Sequence, residues 1–561
     1  MRTTYKVCST IIIVTLLFIA IPSVINSFIG HISPDTSVYL LIARSMIETH
    51  MRFISMVENK GLVFSAIYYP WVKLLGANLF AAALPQLLGY IISFILIYKI
   101  IRIYADKTSA FIIASLWIAM AYSSLIWGAK SRPEDFAVPL YLLTLFVTVK
   151  DKPFWRIVSG FIIGVCLFMK ISLIIAPLIT VVGSIIHKFF FSTYSSLSLN
   201  ESSSQRIRLF IRDSLYVLIG FTIIAIPVLL WISVFDSITA CWQQTVVEQF
   251  IRRIGENANK VNISHFPKFF KLLIRTKTLP LTVWSFISLV LIYVINSRFN
   301  KAEIQNLKLS FSEESKICNT ESIFMRMTFL TGLLIIGEIS RIILEGSIWN
   351  YQVVPFIPFL LIASSFINIK LWRVNLAEKK WLLPLILSIP FLIPTAKKQW
   401  TAFELRAIRK LPAPYELLAK LMKPLYNEGE MIYVESNNYQ LVLFLDSPRP
   451  YRFLPFKFRS YPLEERQKAI HYYDENPPVW IITTTKRYDR NKYIIYGDVD
   501  DAYHVYLNPE YPIDGRIPEK YLPAVPVQRP GNKITSKIGT DRNYQLEIDI
   551  GYLKAWRILD E

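Results

Sequence analysis

Cysteine is scarce in this chain, with only Cys8, Cys166, Cys241 and Cys318 among 561 residues. They have no metal-ligand spacing, and three fall in or beside apolar segments, so neither a disulfide framework nor a zinc site is indicated. Histidine is almost as rare, with six scattered residues. His31 reads as an interfacial residue rather than a ligand. No glycine-rich phosphate loop, HExxH pair or nucleophile elbow occurs, so none of those three chemistries has its motif here. Acidic residues are outnumbered 41 to 61 by Lys and Arg, for a formal charge of +20. The basic residues are scattered between apolar segments and form no patch. That distribution fits cytoplasmic loops of a membrane protein and attraction to anionic headgroups, and argues against a nucleic-acid partner. Neither an internal repeat nor a low-complexity tract is present.

What the chain has in abundance is apolar sequence. Hydrophobic residues make up 53% of it, and mean hydropathy is +0.39. Apolar runs recur up to residue 395, with about eleven (roughly ten to thirteen) reading as spans. They lie near 10–29, 80–98, 109–127, 136–149, 157–169, 171–187, 214–233, 279–296, 323–340, 352–369 and 381–395. Only Lys170 separates the fifth from the sixth. The first run follows Arg2 and Lys6, is long and has no small-residue cleavage pattern, which predicts a retained signal anchor. Basic residues in short loops (Lys99, Arg102 and Lys107; Lys150, Lys152 and Arg156; Lys370, Arg373, Lys379 and Lys380) place the N-terminus in the cytoplasm. Polar segments 192–212 and 297–321 read as cytoplasmic loops, and 234–278 as an outer loop with helical parts.

The division predicted is therefore a membrane domain over 1–395 and an extracytoplasmic tail over 396–561. In the tail a helix is expected at Tyr415–Leu425 and another over Leu463–Tyr473. Strands are expected at Met431–Glu435, Leu441–Leu445, Val479–Thr484 and His504–Leu507, which together suggest a small α/β domain.

The first outer loop, 30–79, carries the densest chemistry. Asp35 follows the first span, and Val38, Leu41, Ile42, Ser45 and Met46 then recur at the spacing of an amphipathic helix. Asp35 and Thr36 are N-cap candidates for that helix. Glu58 precedes Lys60-Gly61, and the aromatic group Tyr68-Tyr69-Pro70-Trp71 leads back to the membrane. The order Pro34-Asp35, Tyr39, Glu58, Lys60 and Gly76-Ala77-Asn78 resembles the first outer loop of the GT-C glycosyltransferases. It is nearest the branch using polyprenyl-phosphate sugars, which includes the lipid A aminoarabinose transferase and the protein O-mannosyltransferases.

The resemblance implies a sugar transferase working outside the cytoplasm, with Asp35 as the base or the carboxylate orienting the acceptor. Without it, Asp35 reads as a helix cap, and the two roles are compatible. Glu58 and Lys60 would help form the donor or acceptor pocket, although Asn59 separates them where relatives have them adjacent; a solvated loop is the other reading. Arg132-Pro133-Glu134-Asp135 resembles the family's R-P-D/E element. Glu134 or Asp135 could take the acceptor or a divalent cation, and Arg132 a phosphate, or the motif could simply start a helix with Pro at N1. Lys170 suits a phosphate or a snorkelling position. Arg341, Glu345, Trp349, Tyr351 and Gln352 precede a segment resembling the family's late Y-x-x-x-P-x-x-P span, with Arg341 the favoured phosphate ligand and Tyr351 beside it.

The expected partners are membrane lipids, a polyprenyl-phosphate sugar donor, and a lipid, glycan or protein acceptor, in a bacterial inner membrane. The sequence establishes no cofactor, leaves a divalent cation open, and assigns no metal site. Asp498-Val499-Asp500 has the form of a nucleotide-sugar DxD element but reads as a turn in the tail. The competing reading is a lipid-linked-glycan flippase or an O-antigen ligase or polymerase. Those would put their key residues in a large late loop or in charged spans, whereas here the acids gather in the first two outer loops.

Overall fold

The computed structural model describes residues 2–29, 32–49, 61–126, 130–150, 152–191, 203–235, 238–242, 265–306, 314–345, 349–370, 381–408, 414–434, 439–448, 472, 475–476, 478–484, 493–495, 505–507, 544–549 and 553–558. Helices dominate. They are α1 (Arg2–Ile29), α2 (Pro34–Glu48), α3 (Leu62–Leu75), α4 (Leu79–Ile101), α5 (Lys107–Ala121), α6 (Pro133–Lys150), α7 (Pro153–Met169), α8 (Ile175–Phe191) and α9 (Ser203–Phe235). After these come α10 (Ile238–Trp242), α11 (His265–Arg275), α12 (Leu279–Asn306), α13 (Glu314–Glu345), α14 (Ile357–Lys370), α15 (Leu382–Phe403), α16 (Pro414–Met422) and α17 (Gln440–Phe444). Each apolar run of the sequence lies largely or wholly on one of these helices, because a chain in lipid must satisfy its backbone internally.

This is an integral membrane protein. Among the described residues, five helices are long and apolar enough to cross a bilayer: Ser9–Ile29, Leu79–Ile101, Ile171–Phe189, Ser204–Phe235 and Ile323–Glu345. A sixth candidate is the bent pair Pro267–Arg275 and Leu279–Val294. The apolar stretches 62–75, 107–121, 153–169 and 350–366 form shorter helices. The two segments expected as loops are partly helical. Ser203–Arg212 begins α9, while the 297–321 segment contributes the end of α12 and the start of α13. A span that continues as helix into water keeps its backbone bonds, so polarity alone does not end it.

The chain divides into two compact units. The first comprises Met1–Val24, Asn59–Phe64 and Gln86–Gln399, and the second Ile25–Glu58, Ser65–Pro85 and Trp400–Glu561.

In the first unit, α7 and α9 make the most intimate helix pair. Gly160 and Gly164 stand four residues apart on α7, and Gly220 lies on α9. A Cβ on Gly160 would come within 1.9 Å of the Val217 carbonyl oxygen, and one on Gly220 within 1.8 Å of the Ile157 oxygen. Small residues at this spacing let two backbones meet, the principal route to tight packing where lipid removes the hydrophobic drive between helices. Buried Asp213 of α9 ties the same region to α8, accepting from Lys188 Nζ at 3.1 Å and lying 3.6 Å from Arg156 Nε. Leu218, Ile226 and Leu230 of α9 stay exposed, as a lipid-facing surface requires.

The second unit contains a four-stranded sheet in the order β1 (Ile432–Val434), β2 (Trp480–Thr484), β6 (Leu553–Ile558), β5 (Tyr544–Asp549). β1 and β2 are parallel and the other pairs antiparallel. A separate ribbon pairs β3 (Tyr493–Ile495) with β4 (Val505–Leu507). Ile432, Trp480, Ile481, Ile482, Leu553 and Ala555 are buried in the sheet, and α16 packs on β5 and β6.

Three of the four expected strands are present. The fourth, Leu441–Leu445, is instead α17, with the Leu445 amide bonded to the Leu441 carbonyl at 3.0 Å. Its adjacent residues Leu441 and Val442 are both fully buried, where a strand would alternate. Five apolar residues fit either period, so only packing decides. Residues 463–471 of the other expected tail helix lie outside the described residues.

Candidate active site

Helix α2 begins differently from the sequence expectation. Its N-cap is Ser33, neither Asp35 nor Thr36. The Ser33 hydroxyl accepts the Thr36 amide at 3.1 Å and meets the Thr36 hydroxyl at 2.7 Å. Pro34 explains the shift. Proline lacks an N–H and has a φ suited to N1, so the cap falls one residue earlier. Asp35 therefore lies within the first turn, half-buried, at the positive end of the helix dipole. On the same helix Tyr39 is buried and stacks on Tyr68 of α3, ring centroids 6.1 Å apart. Glu58 and Lys60 lie outside the described residues. Gly61 donates to the Met169 carbonyl at 3.0 Å, and a Cβ there would sit 1.8 Å from the Phe168 oxygen. The end of the first loop is thus joined to the end of α7, next to Lys170.

In the first unit, charges from distant parts of the chain converge. Lys170 interrupts the helical course between α7 and the 3-10 turn Ile171–Ile174, with extended backbone angles of φ −165° and ψ 123°. Its Nζ donates to Glu134 Oε1 at 2.6 Å and to Glu345 Oε1 at 2.9 Å. The Ser172 hydroxyl donates to the same Glu345 oxygen. Arg341, one turn before Glu345, donates through Nη1 to Glu345 at 2.9 Å and through Nε and Nη2 to Glu338. Its Nη2 also reaches the Gln352 carbonyl at 2.7 Å, and Nη1 lies 4.0 Å from Glu134. Gln352 closes the group, its amide donating to Glu345 Oε2 and its oxygen accepting the Trp349 amide.

Three carboxylates thus surround two cations, a buried arrangement that holds only when its members are mutually paired. Exposure identifies its open end. The Lys170 side chain is 18% exposed and that of Glu345 12%, against 2% for Glu134 and 0% for Arg341. Arg341 is enclosed in carboxylates, while Lys170 retains access.

Beside this cluster the Arg132 guanidinium lies over the Tyr351 ring, 4.2 Å from its centroid. Asp135 accepts the Tyr90 hydroxyl at 2.6 Å on one oxygen and the Arg132 amide at 2.9 Å on the other. The second bond is half of a capping box, so the helix-start reading of this motif holds. Ser131 turns the chain into α6 with φ 55°, and its hydroxyl donates to Gln86 at 3.1 Å. A divalent cation fits poorly here. Lys170 occupies Glu134, and Tyr90 and a backbone amide occupy Asp135. Among the described residues no group of three His, Cys, Asp or Glu side chains could hold a metal ion.

Glu134, Lys170 and Arg341 are thus in one network, Arg132 and Tyr351 form a pair, and Asp35 and Tyr39 belong to the other unit. Glu338 and Ser172 escaped sequence reasoning. Glu338 had a signal, since Glu338, Arg341 and Glu345 are spaced to share one face of a helix inside an apolar run, where unpaired charges are costly. Ser172 had none.

Residues 59–199, a segment containing Arg132, Glu134, Asp135 and Lys170, match the family described as dolichyl-phosphate-mannose-protein mannosyltransferase. This match supports a GT-C superfamily glycosyltransferase. No curated protein sequence matches the chain significantly. Among solved structures the chain is similar to ArnT from Cupriavidus metallidurans bound to undecaprenyl phosphate, at 13% identity and TM-score 0.47, covering 86% of this chain and 94% of that one. The apo state of the same protein gives the same identity and TM-score, with 93% of that chain covered.

Proposed function

We propose that this GT-C glycosyltransferase moves a sugar from a polyprenyl-phosphate carrier to a lipid, glycan or protein hydroxyl outside the cytoplasm. The observation carrying the proposal is the family match over residues 59–199, whose described donor is a sugar on a polyprenyl phosphate. In this reading the Asp35 carboxylate takes the proton of the acceptor hydroxyl. The freed oxygen attacks the anomeric carbon, the bond from that carbon to the carrier oxygen breaks, and polyprenyl phosphate leaves as an anion. Lys170 is the cation for that phosphate because it keeps partial exposure, with Arg132 as a second. Arg341, the phosphate ligand favoured from the sequence, is instead enclosed in carboxylates and holds Glu338 and Glu345 in place. Tyr39, Glu58, Lys60, Glu134, Asp135 and Tyr351 complete the substrate-binding set. No step is routed through a metal, given how Glu134 and Asp135 are paired.

The topology that accompanies this function has about eleven spans, a cytoplasmic N-terminus and an extracytoplasmic α/β tail, in a bacterial inner membrane. A reporter active only outside the cytoplasm, fused after Glu561, should work; activity of a cytoplasm-only reporter there would reverse the topology. The function is tested by comparing lipid extracts and surface glycans of deletion and complemented strains. A glycan lacking one sugar, restored by the wild-type chain, is expected. Unchanged glycans, with no release of polyprenyl phosphate by purified protein given the donor, would refute it.

A further inference from the structure

Helix α11 stands apart from the charge network. Its sequence, HFPKFFKLLIR, contains no acidic residue. At 11 residues it spans about 16 Å at 1.5 Å per residue, roughly half a hydrocarbon core. Its axis is bent 116° from α12. The bend is secured by Lys277 in the left-handed region (φ 60°), by the Thr278 amide donating to the Leu273 carbonyl at 3.0 Å, and by the 2.9 Å contact between the Thr276 and Thr278 hydroxyls. A helix this short, turned sharply from a candidate span, can lie along the bilayer surface rather than cross it.

Its two faces divide cleanly. Phe269, Leu272, Leu273 and Thr276 are buried, against α12, α13 and the Phe356 ring. The other face carries Lys268, Lys271 and Arg275, with Phe270 at 42% and Ile274 at 56% exposure between them, and Lys277 at the bend. Exposed aromatic and aliphatic groups alternating with cations at three- and four-residue spacing suit one environment. The apolar side chains enter the acyl boundary and the cations stay level with lipid phosphates. A face made for water would lack Phe270 and Ile274, and one made for hydrocarbon would lack the cations.

We propose that this face is a binding site for anionic phospholipid headgroups, with a lipid phosphate seated among Lys268, Lys271 and Arg275. The site is independent of the transfer reaction proposed above and stands or falls separately. It anchors the turn into α12 to the bilayer surface.

The test uses full-length protein reconstituted in nanodiscs of phosphatidylcholine mixed with phosphatidylglycerol, with retained lipid counted by native mass spectrometry after extraction. Wild type should retain phosphatidylglycerol in preference to phosphatidylcholine, and salt should weaken the preference. The triple variant Lys268→Gln, Lys271→Gln, Arg275→Gln should lose it, by roughly fivefold per cation removed. Lys268→Arg with Lys271→Arg should keep it, as should Lys420→Gln with Lys423→Gln in the tail. Unchanged thermal midpoints would show that the variants are folded, since all these side chains are exposed. Equal retention of the two lipids by wild type, or undiminished phosphatidylglycerol retention by a folded triple variant, would overturn the proposal. A triple variant that altered the oligomeric state while lipid retention stayed constant would assign the face to a second copy of the chain and overturn it equally.

Discussion

The Ser37 hydroxyl accepts the backbone amide of Tyr439 at 3.0 Å, joining residues 402 positions apart. Both residues are fully buried. Gln440 donates to the Ile32 carbonyl beside this bond, and Arg44 of α2 pairs with Asp446 at 3.0 Å and the Ser447 carbonyl at 3.0 Å. Helix α2 and the tail therefore fold as parts of one unit, and the helix bearing Asp35 is fixed by residues near position 440. Ser37→Ala would leave the Tyr439 amide buried without its acceptor, at a cost of about 1–3 kcal/mol. The expected result is faster proteolysis of the tail in detergent-solubilised protein. Wild-type cleavage rates would show that the bond does not hold the tail in place.

The glycine seam of α7 and α9 predicts a sharp contrast between substitutions. Gly160→Leu places side-chain atoms where the Val217 carbonyl lies, so the helices must separate. Overpacking of this kind costs roughly 1–3 kcal/mol or more. Gly332→Ala on α13 is the control, since its Cβ would meet only Leu289 Cδ1, at 3.9 Å. It should leave stability unchanged or raise it by about 0.4–1 kcal/mol through the unfolded chain. Thermal midpoints in one detergent check both, and equal midpoints for the two variants would remove the seam from the account.

The positions of the apolar helices were legible in the sequence because hydropathy and backbone satisfaction coincide in lipid, although among the described residues five or six of them, against eleven expected, are long and apolar enough to span; the interruption at Lys170 coincides with a real break. The cap of α2 was legible only once Pro34 was given its place at N1. What sequence could not supply was convergence. Lys170 meets partners 36 and 175 positions away, and that pairing is set by how α6, α7 and α13 pack, which no local period encodes. Strand β5 alternates apolar and polar residues, whereas β6 breaks the alternation at Ala555-Trp556, and short tail segments without clear turn signals do not announce their partners.

The Lys170 network predicts a coupling. Lys170→Met leaves Glu134 and Glu345 buried together with Arg341 as their remaining cation, and breaking a buried pair on one side costs about 3–5 kcal/mol. Glu134→Gln in the same chain removes one of the stranded carboxylates, so the double variant should regain part of the lost stability. A double-variant midpoint equal to the sum of the single losses would mean that the two groups are not coupled. Transfer should stay low even in the rescued protein, because the cation proposed for the donor phosphate is missing. Restored transfer would remove Lys170 from the donor site and leave it a structural tie.

Asp35 separates an enzyme from a membrane protein of another kind. Ser33 caps α2, so Asp35→Asn leaves the capping bond untouched and keeps the side chain's size. Expression and thermal midpoint should change little. An amide cannot take the acceptor proton, and a positioned base contributes typically 10²–10⁴-fold. Transfer should fall by about that factor while the KM for the polyprenyl-phosphate donor stays close to wild type. Ser33→Ala should show the opposite pattern, losing roughly 1 kcal/mol of stability with the cap and keeping most of its turnover once folded. Comparing the two variants separates chemistry from helix integrity in a single turnover assay with one donor. Near-normal transfer by the Asn variant would exclude Asp35 as the base and move the search to Glu58, Glu134 or Asp135.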